Sequence, residues 1–198
     1  MIEAHIAAAN GAAHGDDSAL AIAVDPASGD AFAVGFVTVP TLFGTTERIT
    51  TVGGPSDGFV WRVAEGTLLS RSALAIGGTG DARATSASIA ASTLFVGGTH
   101  AGTTTLGGRS ITSSGGTDGF VFYFDVGTSL SSIGITLGGP GDDAVAGLDS
   151  DADSLDVVGT IAPGVTQLGG FAVTLRGGRD GLGRGSQLVP EQEHPGLG

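Results

Sequence analysis

The chain has 198 residues, 37 of them glycine, a fraction more than twice the ~7% of an ordinary domain. Eight arginines, no lysine and 20 carboxylates give a net charge of −12 and a pI near 4.3. That balance excludes counterion-displacing binding to nucleic acid, and zero cysteines exclude disulfides, thiolate metal sites and thiol catalysis.

Mean hydropathy is +0.29 with 40% apolar residues, so the glycine excess does not describe a solvated, disordered chain. No apolar run reaches the ~18 residues of a spanning helix. No basic n-region or long apolar h-region is visible at Met1-Ile2-Glu3-Ala4-His5.

In chain order, the start is alanine-rich and reads as the last strand of a preceding unit, residues 1–14. Residues 19–25 are apolar at nearly every position, a pattern that predicts a strand buried on both faces. Pro26-Ala27-Ser28-Gly29 reads as a turn and residues 31–39 as a second strand. A long Gly/Thr/Pro loop is expected over residues 40–56. Residues 59–63 and 68–76 complete four short strands, closed by Gly77-Gly78.

The pattern then repeats. Gly-Asp recurs at Gly15-Asp16, Gly80-Asp81 and Gly141-Asp142; Val-Gly at Val34-Gly35, Val96-Gly97 and Val158-Gly159. Asp-Gly opens Asp57-Gly58-Phe59-Val60, Asp118-Gly119-Phe120-Val121 and Asp180-Gly181. Ile76-Gly77-Gly78 matches Leu137-Gly138-Gly139. Several markers in one order at a period of about 62 residues define a tandem repeat. The units span 15–79, 80–140 and a partial 141–180; the pattern dissolves from Gly181, so 181–198 is expected to be a disordered tail.

Four-stranded antiparallel units stacked face to face predict an all-β, β-propeller-like array of about three blades, open or partial because a closed ring takes about 4–8. The units resemble the bacterial β-propeller repeats called SBBP repeats, through Gly15-Asp16-Asp17, Ala23-Val24-Asp25, Ala33-Val34-Gly35, Asp57-Gly58-Phe59-Val60 and Gly77-Gly78. The second unit departs at Ala90-Ala91, where the family's aspartate is absent. The resemblance implies a cell-envelope or secreted bacterial protein with more blades than are seen here.

Asp149, Asp151, Asp153 and Asp156 form the sharpest local motif, since alternate carboxylates in a tight loop can converge on one calcium. The alternative is a solvated acidic turn, with Asp149 aligned to Asp25. The repeated aspartates Asp57, Asp118 and Asp180, and Asp16, Asp81 and Asp142, read as turn-fixing side chains. His5, His14, His100 and His194 show no ligand spacing; Trp61 and Tyr123 could stack on a sugar but fit packing better. No phosphate loop or nucleophile elbow occurs, and no catalytic or cofactor residue is assigned. The expected role is non-enzymatic: a scaffold, or a binder of protein or carbohydrate, with self-association possible through open blade faces. The rivals are an enzyme-like propeller, lyase or hydrolase, and a gene fragment with no independent function.

Overall fold

The computed structural model describes residues 6–8, 15–44, 47–50, 53–67, 69–106, 108–128, 131–168, 171–175 and 180–182. Those residues are all-β, with no helix and several antiparallel sheets, none of them closed. The expected tail from 183 onward, and His5, His14 and His194, lie outside the described residues.

The first unit contributes β2 (Ser18–Val24), β3 (Ala31–Val37), β6 (Asp57–Val63) and β7 (Ser70–Gly78). The second contributes β8 (Ala82–Ala90), β9 (Thr93–His100), β12 (Asp118–Asp125) and β13 (Ser131–Gly138). In each, the four strands form an antiparallel meander in chain order. Valine, phenylalanine and threonine dominate β3, β6, β9 and β12, residue types that suit a pleated, packed surface.

The stretch expected as a loop is not one. Between the second and third strands of every unit lies a hairpin: β4 (Thr41–Phe43) with β5 (Glu47–Ile49), β10 (Thr103–Leu106) with β11 (Arg109–Thr112), and β16 (Gly164–Leu168) with β17 (Phe171–Leu175). Its first strand bonds to the fourth strand of the preceding unit: β10 to β7, β16 to β13, and β4 to β1 (Ile6–Ala8). Two six-stranded sheets result, ordered β11-β10-β7-β6-β3-β2 and β17-β16-β13-β12-β9-β8. Glycine and threonine composition hides these short strands, because the hairpins alternate small and apolar residues rather than running apolar.

The third unit also goes further than expected. Besides β14 (Ala144–Ser150) and β15 (Leu155–Ile161), it reaches β18 (Asp180–Leu182), which pairs with β15. Asp180 opposes Ile161 there as Asp118 opposes His100 and Asp57 opposes Val37.

Successive sheets stack face to face. β8 lies across β2, β3 and β6, and β14 lies across β8, β9 and β12. The front face of the first sheet offers Ala23, Phe32, Val34 and Ile76; the back face of the second offers Leu94, Val96, Phe120 and Phe122, all in one core cluster. Val121 and Leu137 meet Val145 and Leu148 at the next junction. Phe120 and Phe122 are fully buried, each contributing about 1.5–3 kcal/mol of transfer free energy. The back face of the first sheet, with Phe59 and Trp61, is covered by Phe43 and Ile49 of its own inserted hairpin.

Register corrects two sequence assignments. Gly35 opposes Phe59, but Gly98, not Gly97, opposes Phe120. An added Cβ at Gly35, Gly98 or Gly159 would overlap a carbonyl of the first strand (Ser18, Arg83 or Ala144), so these three are the structural equivalents. Val34 directly precedes Gly35, whereas Gly97 stands between Val96 and Gly98, and a one-residue slip exchanges the faces of a strand. All three first strands share a bulge, at 19/21, 84/86 and 145/147, which fixes that register.

β2 is the second correction. Leu20, Ile22 and Val24 are 46%, 53% and 49% exposed, so the strand is not buried on both faces. Its counterparts in β8, Ala87 and Ile89, pack on the preceding sheet. Among the described residues no sheet covers β2 in that way.

Gly98→Ala is expected to cost 2 kcal/mol or more, on the order of an overpacked core site, because the new methyl meets backbone. The cost would be measured as a fall in the urea midpoint, with an unchanged midpoint counting against this register.

Candidate functional site

The acidic hairpin of the third unit is the first candidate. Asp149 and Asp156 are cross-strand partners in the β14–β15 ladder, one rung from the turn. Asp151 begins the turn, and its Oδ1 accepts from the Asp153 N–H at 2.9 Å, the Ser154 N–H at 2.7 Å and Ser154 Oγ at 3.0 Å. Asp25 does the same in the first unit, accepting from the Ala27 N–H at 3.0 Å and Ser28 Oγ at 2.5 Å. Asp151, rather than Asp149, is therefore the counterpart of Asp25. The Asp149 Oδ1 accepts from the Ser150 N–H at 3.0 Å. Asp153 stands within the turn, exposed. Among the described residues no three His, Asp or Glu side chains gather as metal ligands would. The geometry is that of an Asx turn closing a hairpin.

The second unit lacks this aspartate, and Ala91 takes a φ of 49° in its place. That left-handed conformation strains a Cβ-bearing residue. Asp125 closes another turn, accepting from the Thr128 N–H at 2.7 Å, and that bond with the Thr128 hydroxyl holds its carboxyl below the usual range.

The repeated aspartates hold units together. Asp142 Oδ1 accepts from the N–H and hydroxyl of Thr117, each at 3.0 Å, and Asp81 accepts from the equivalent Ser56 hydroxyl. Each ties the start of one unit to the residue before the third strand of the unit ahead of it. Backbone bonds run alongside, from the Ala82 N–H to Ser56 O at 3.0 Å and from the Asp143 N–H to Thr117 O at 2.6 Å. Asp57 and Asp118 lie buried over Gly77 and Gly138, where a Cβ would collide with the carboxylate. Asp118 Oδ2 accepts from the Ser114 N–H at 2.7 Å. Burial first, and then the nearby Asp143 charge, push the Asp118 carboxyl above its usual range.

Two buried polar features were not legible as such in the sequence. Asp30, 1% exposed, accepts from Arg62 Nε at 2.8 Å, Arg71 Nε at 2.9 Å and the Glu65 N–H at 3.1 Å. Burial opposes its ionisation, but the Arg62 bond and the two positive charges prevail and hold the carboxyl below its usual value. Arg62 also donates to Val126 O at 3.0 Å, bridging to the second unit, and stacks over Phe32. An arginine inside the apolar third strand was the available signal. His100, 1% exposed, sits in the register place of Val37 and Ile161, with its ring 6.2 Å from Phe120. Burial pushes its pKa down to about 4, and Nδ1 has no hydrogen-bond partner within the protein.

Trp61 is packed, donating Nε1–H to Ser70 Oγ at 2.9 Å beside Phe43. Tyr123 takes the register place of Arg62 and is 38% exposed. A small cavity of about 30 Å³ between the first two sheets, lined by Phe32, Arg62, Leu94 and Phe124, has room for one water.

Compared with known proteins, the chain matches no family model and no curated protein.

Three outcomes follow from this geometry. The folded protein refuses the proton that unfolded His100 takes below about pH 6.5. Stability therefore falls as pH drops from about 6.5 to about 4, by up to ~3 kcal/mol. His100→Val should remove that loss in urea titrations across this window; an unchanged acid profile counts against it. Asp30→Ala leaves two arginines unpaired and is expected to lower stability by about 3 kcal/mol or more. Ala91→Gly should raise it by roughly 0.5–1 kcal/mol, seen as a higher Tm.

Proposed function

We propose that this chain is an arc of a β-propeller serving as a non-enzymatic scaffold or as a binding surface for protein or carbohydrate, of the bacterial cell-envelope type its repeat resembles. One observation carries the reading. The same back-face positions of each first strand, 84, 87 and 89 and then 145 and 148, pack onto the front face of the sheet before. A stack built by one repeated junction turns by the same angle at every step, and twisted four-stranded meanders stacked this way are the units of a propeller.

The non-enzymatic part rests on where the carboxylates go. Asp25, Asp81, Asp125, Asp142 and Asp151 accept hydrogen bonds from their own turns or from the adjoining unit. A hydrolase or lyase needs such groups gathered in a cleft, and the cavity between the first two sheets is water-sized.

Negative-stain images of the purified protein test the architecture: curved or annular particles are expected, and straight rods would overturn it. Turnover of any substrate in a hydrolase and lyase panel, abolished by a single carboxylate substitution, would replace the scaffold reading with the enzyme one.

A further inference from the structure

The units are not anchored alike at the corner where the second strand runs into the inserted hairpin. In the first, Asp17 clamps that corner: Oδ1 accepts from the Thr38 N–H at 2.9 Å and Oδ2 from the Thr41 hydroxyl at 2.8 Å. In the third, Asp143 Oδ1 accepts from the Ala162 N–H at 2.7 Å. The second unit has Ala82 at that place. Its corner N–H, on Ala101, donates to Asp81 O at 2.8 Å instead. The fully buried Thr104 hydroxyl holds the register place of Thr41, opposite an isoleucine, and finds no partner among the described residues.

The same corner holds the buried histidine. His100 is the last residue of β9, directly opposite Ala82 on β8 and Asp118 on β12, so the three share a face. Its ring lies 6.2 Å from Phe120, which shares a core cluster with Leu106 and Ile111 of the hairpin. The counterparts of His100, Val37 and Ile161, carry no charge at any pH. The second hairpin therefore lacks its carboxylate clamp and covers a side chain that can become a cation.

We propose that the β10–β11 hairpin is an acid-sensitive clasp between the first two units: a proton taken up by His100 swings the hairpin off β7 and bares the edge of that strand. A charged ring must reach water, because burying it unpaired is costly. The hairpin is the cover that yields. β9 is laddered to β12 along its whole length, whereas β10 meets β7 only at Thr104 opposite Gly78 and Thr105 opposite Gly77. Beyond them the Thr79 N–H donates to Thr103 O at 2.9 Å and the Thr103 N–H to Thr79 Oγ1 at 3.1 Å. The base of the hairpin is a neck. The Ser113 N–H donates to Gly102 O and the Gly102 N–H to Ser113 Oγ, both at 2.9 Å. Gly102, at a φ of 63°, is the pivot.

The surrounding charges do not offset the new one. Asp118, across the ladder on β12, leans over Gly138 with Oδ2 on the Ser114 N–H at 2.7 Å, and burial drives it towards its neutral form. On β8, Asp81 and Arg83 flank Ala82 but pair with each other at 3.0 Å, and Asp81 also holds the Ser56 hydroxyl. On the sheet before, Asp57 lies over Gly77, behind the β10 ladder, and Arg71 is engaged by Asp30. The hairpin itself brings Arg109, exposed at its tip, a like charge. Burial holds the folded ring at a pKa of about 4, below the ordinary 6.5, so opening is favoured progressively as pH falls through that range. Asp118 acts in the opposite sense, since its raised carboxyl favours the closed fold in acid, and substitution at His100 separates the two.

The clasp does not depend on whether the stack of sheets closes into a ring. Amide hydrogen exchange on the whole chain, corrected for the intrinsic pH dependence and read by NMR at about pH 7 and about pH 4.5, tests it. Protection of the β10 and β11 amides should fall about tenfold or more in acid. The β4 and β5 amides, whose hairpin covers Val37, should keep theirs. His100→Val, the residue the first unit carries there, should abolish the loss. Ala82→Asp places a carboxylate beside both His100 and Thr104, as Asp17 stands by Thr41, and should hold the hairpin closed to lower pH. An equal loss at both hairpins means global unfolding and overturns the clasp. So does an unchanged β10–β11 hairpin, or an acid loss that either variant leaves undiminished.

Discussion

Each fourth strand among the described residues, β1, β7 and β13, has its outer edge satisfied by the hairpin of the next unit. That edge would otherwise present a row of unpaired N–H and C=O groups to water and to other chains. The hairpin inserted between the second and third strands supplies the missing ladder, as in Thr104 opposite Gly78 and Gln167 opposite Gly138. Its apolar side chains, Leu106 and Ile111 in the second unit, also seal the back face of their own sheet. One short segment thus satisfies an edge of one sheet and a face of the next. The units are joined by hydrogen bonds and by burial through the same residues, so neither sheet can be removed without opening the other.

The charge distribution follows from that arrangement. A net charge of −12 on 198 residues would repel a compact chain if the carboxylates faced one another. Instead Asp25, Asp81, Asp125, Asp142 and Asp151 are spread over separate turns, each bonded to nearby N–H or hydroxyl groups. Asp30 goes further inward and is met by two arginines. The exceptions sit at one junction, where Asp118 Oδ1 and Asp143 Oδ2 lie buried without a partner in the protein. The equivalent place at the preceding junction holds Ala82 instead of a second carboxylate. No physical account of that difference follows from the fold.

Much of the architecture was legible because its signals are local. The runs in residues 19–25, 31–39, 59–63 and 68–76 coincide with β2, β3, β6 and β7, and the period transfers to the second unit. What escaped were features set by contacts distant in sequence. The hairpins are three to five residues per strand, too short and too rich in threonine and glycine to read as strands. Gly97 matches the repeat by following a valine, whereas the strand opposite selects Gly98. Asp149 aligns with Asp25 by spacing, while the turn bonds select Asp151.

The sequence by itself determined the all-β class, the period of about 62 residues and the places of most turns. Those properties depend on alternation, glycine and aspartate acting over a few neighbouring positions. Tertiary structure decided which face of each strand is covered, why Ile22 and Val24 lie open while Ala87 and Ile89 do not, and which unit owns which hairpin. A strand's own residues state that it can be buried. Only the sheet laid against it, brought from 60 residues away in the chain, decides whether it is.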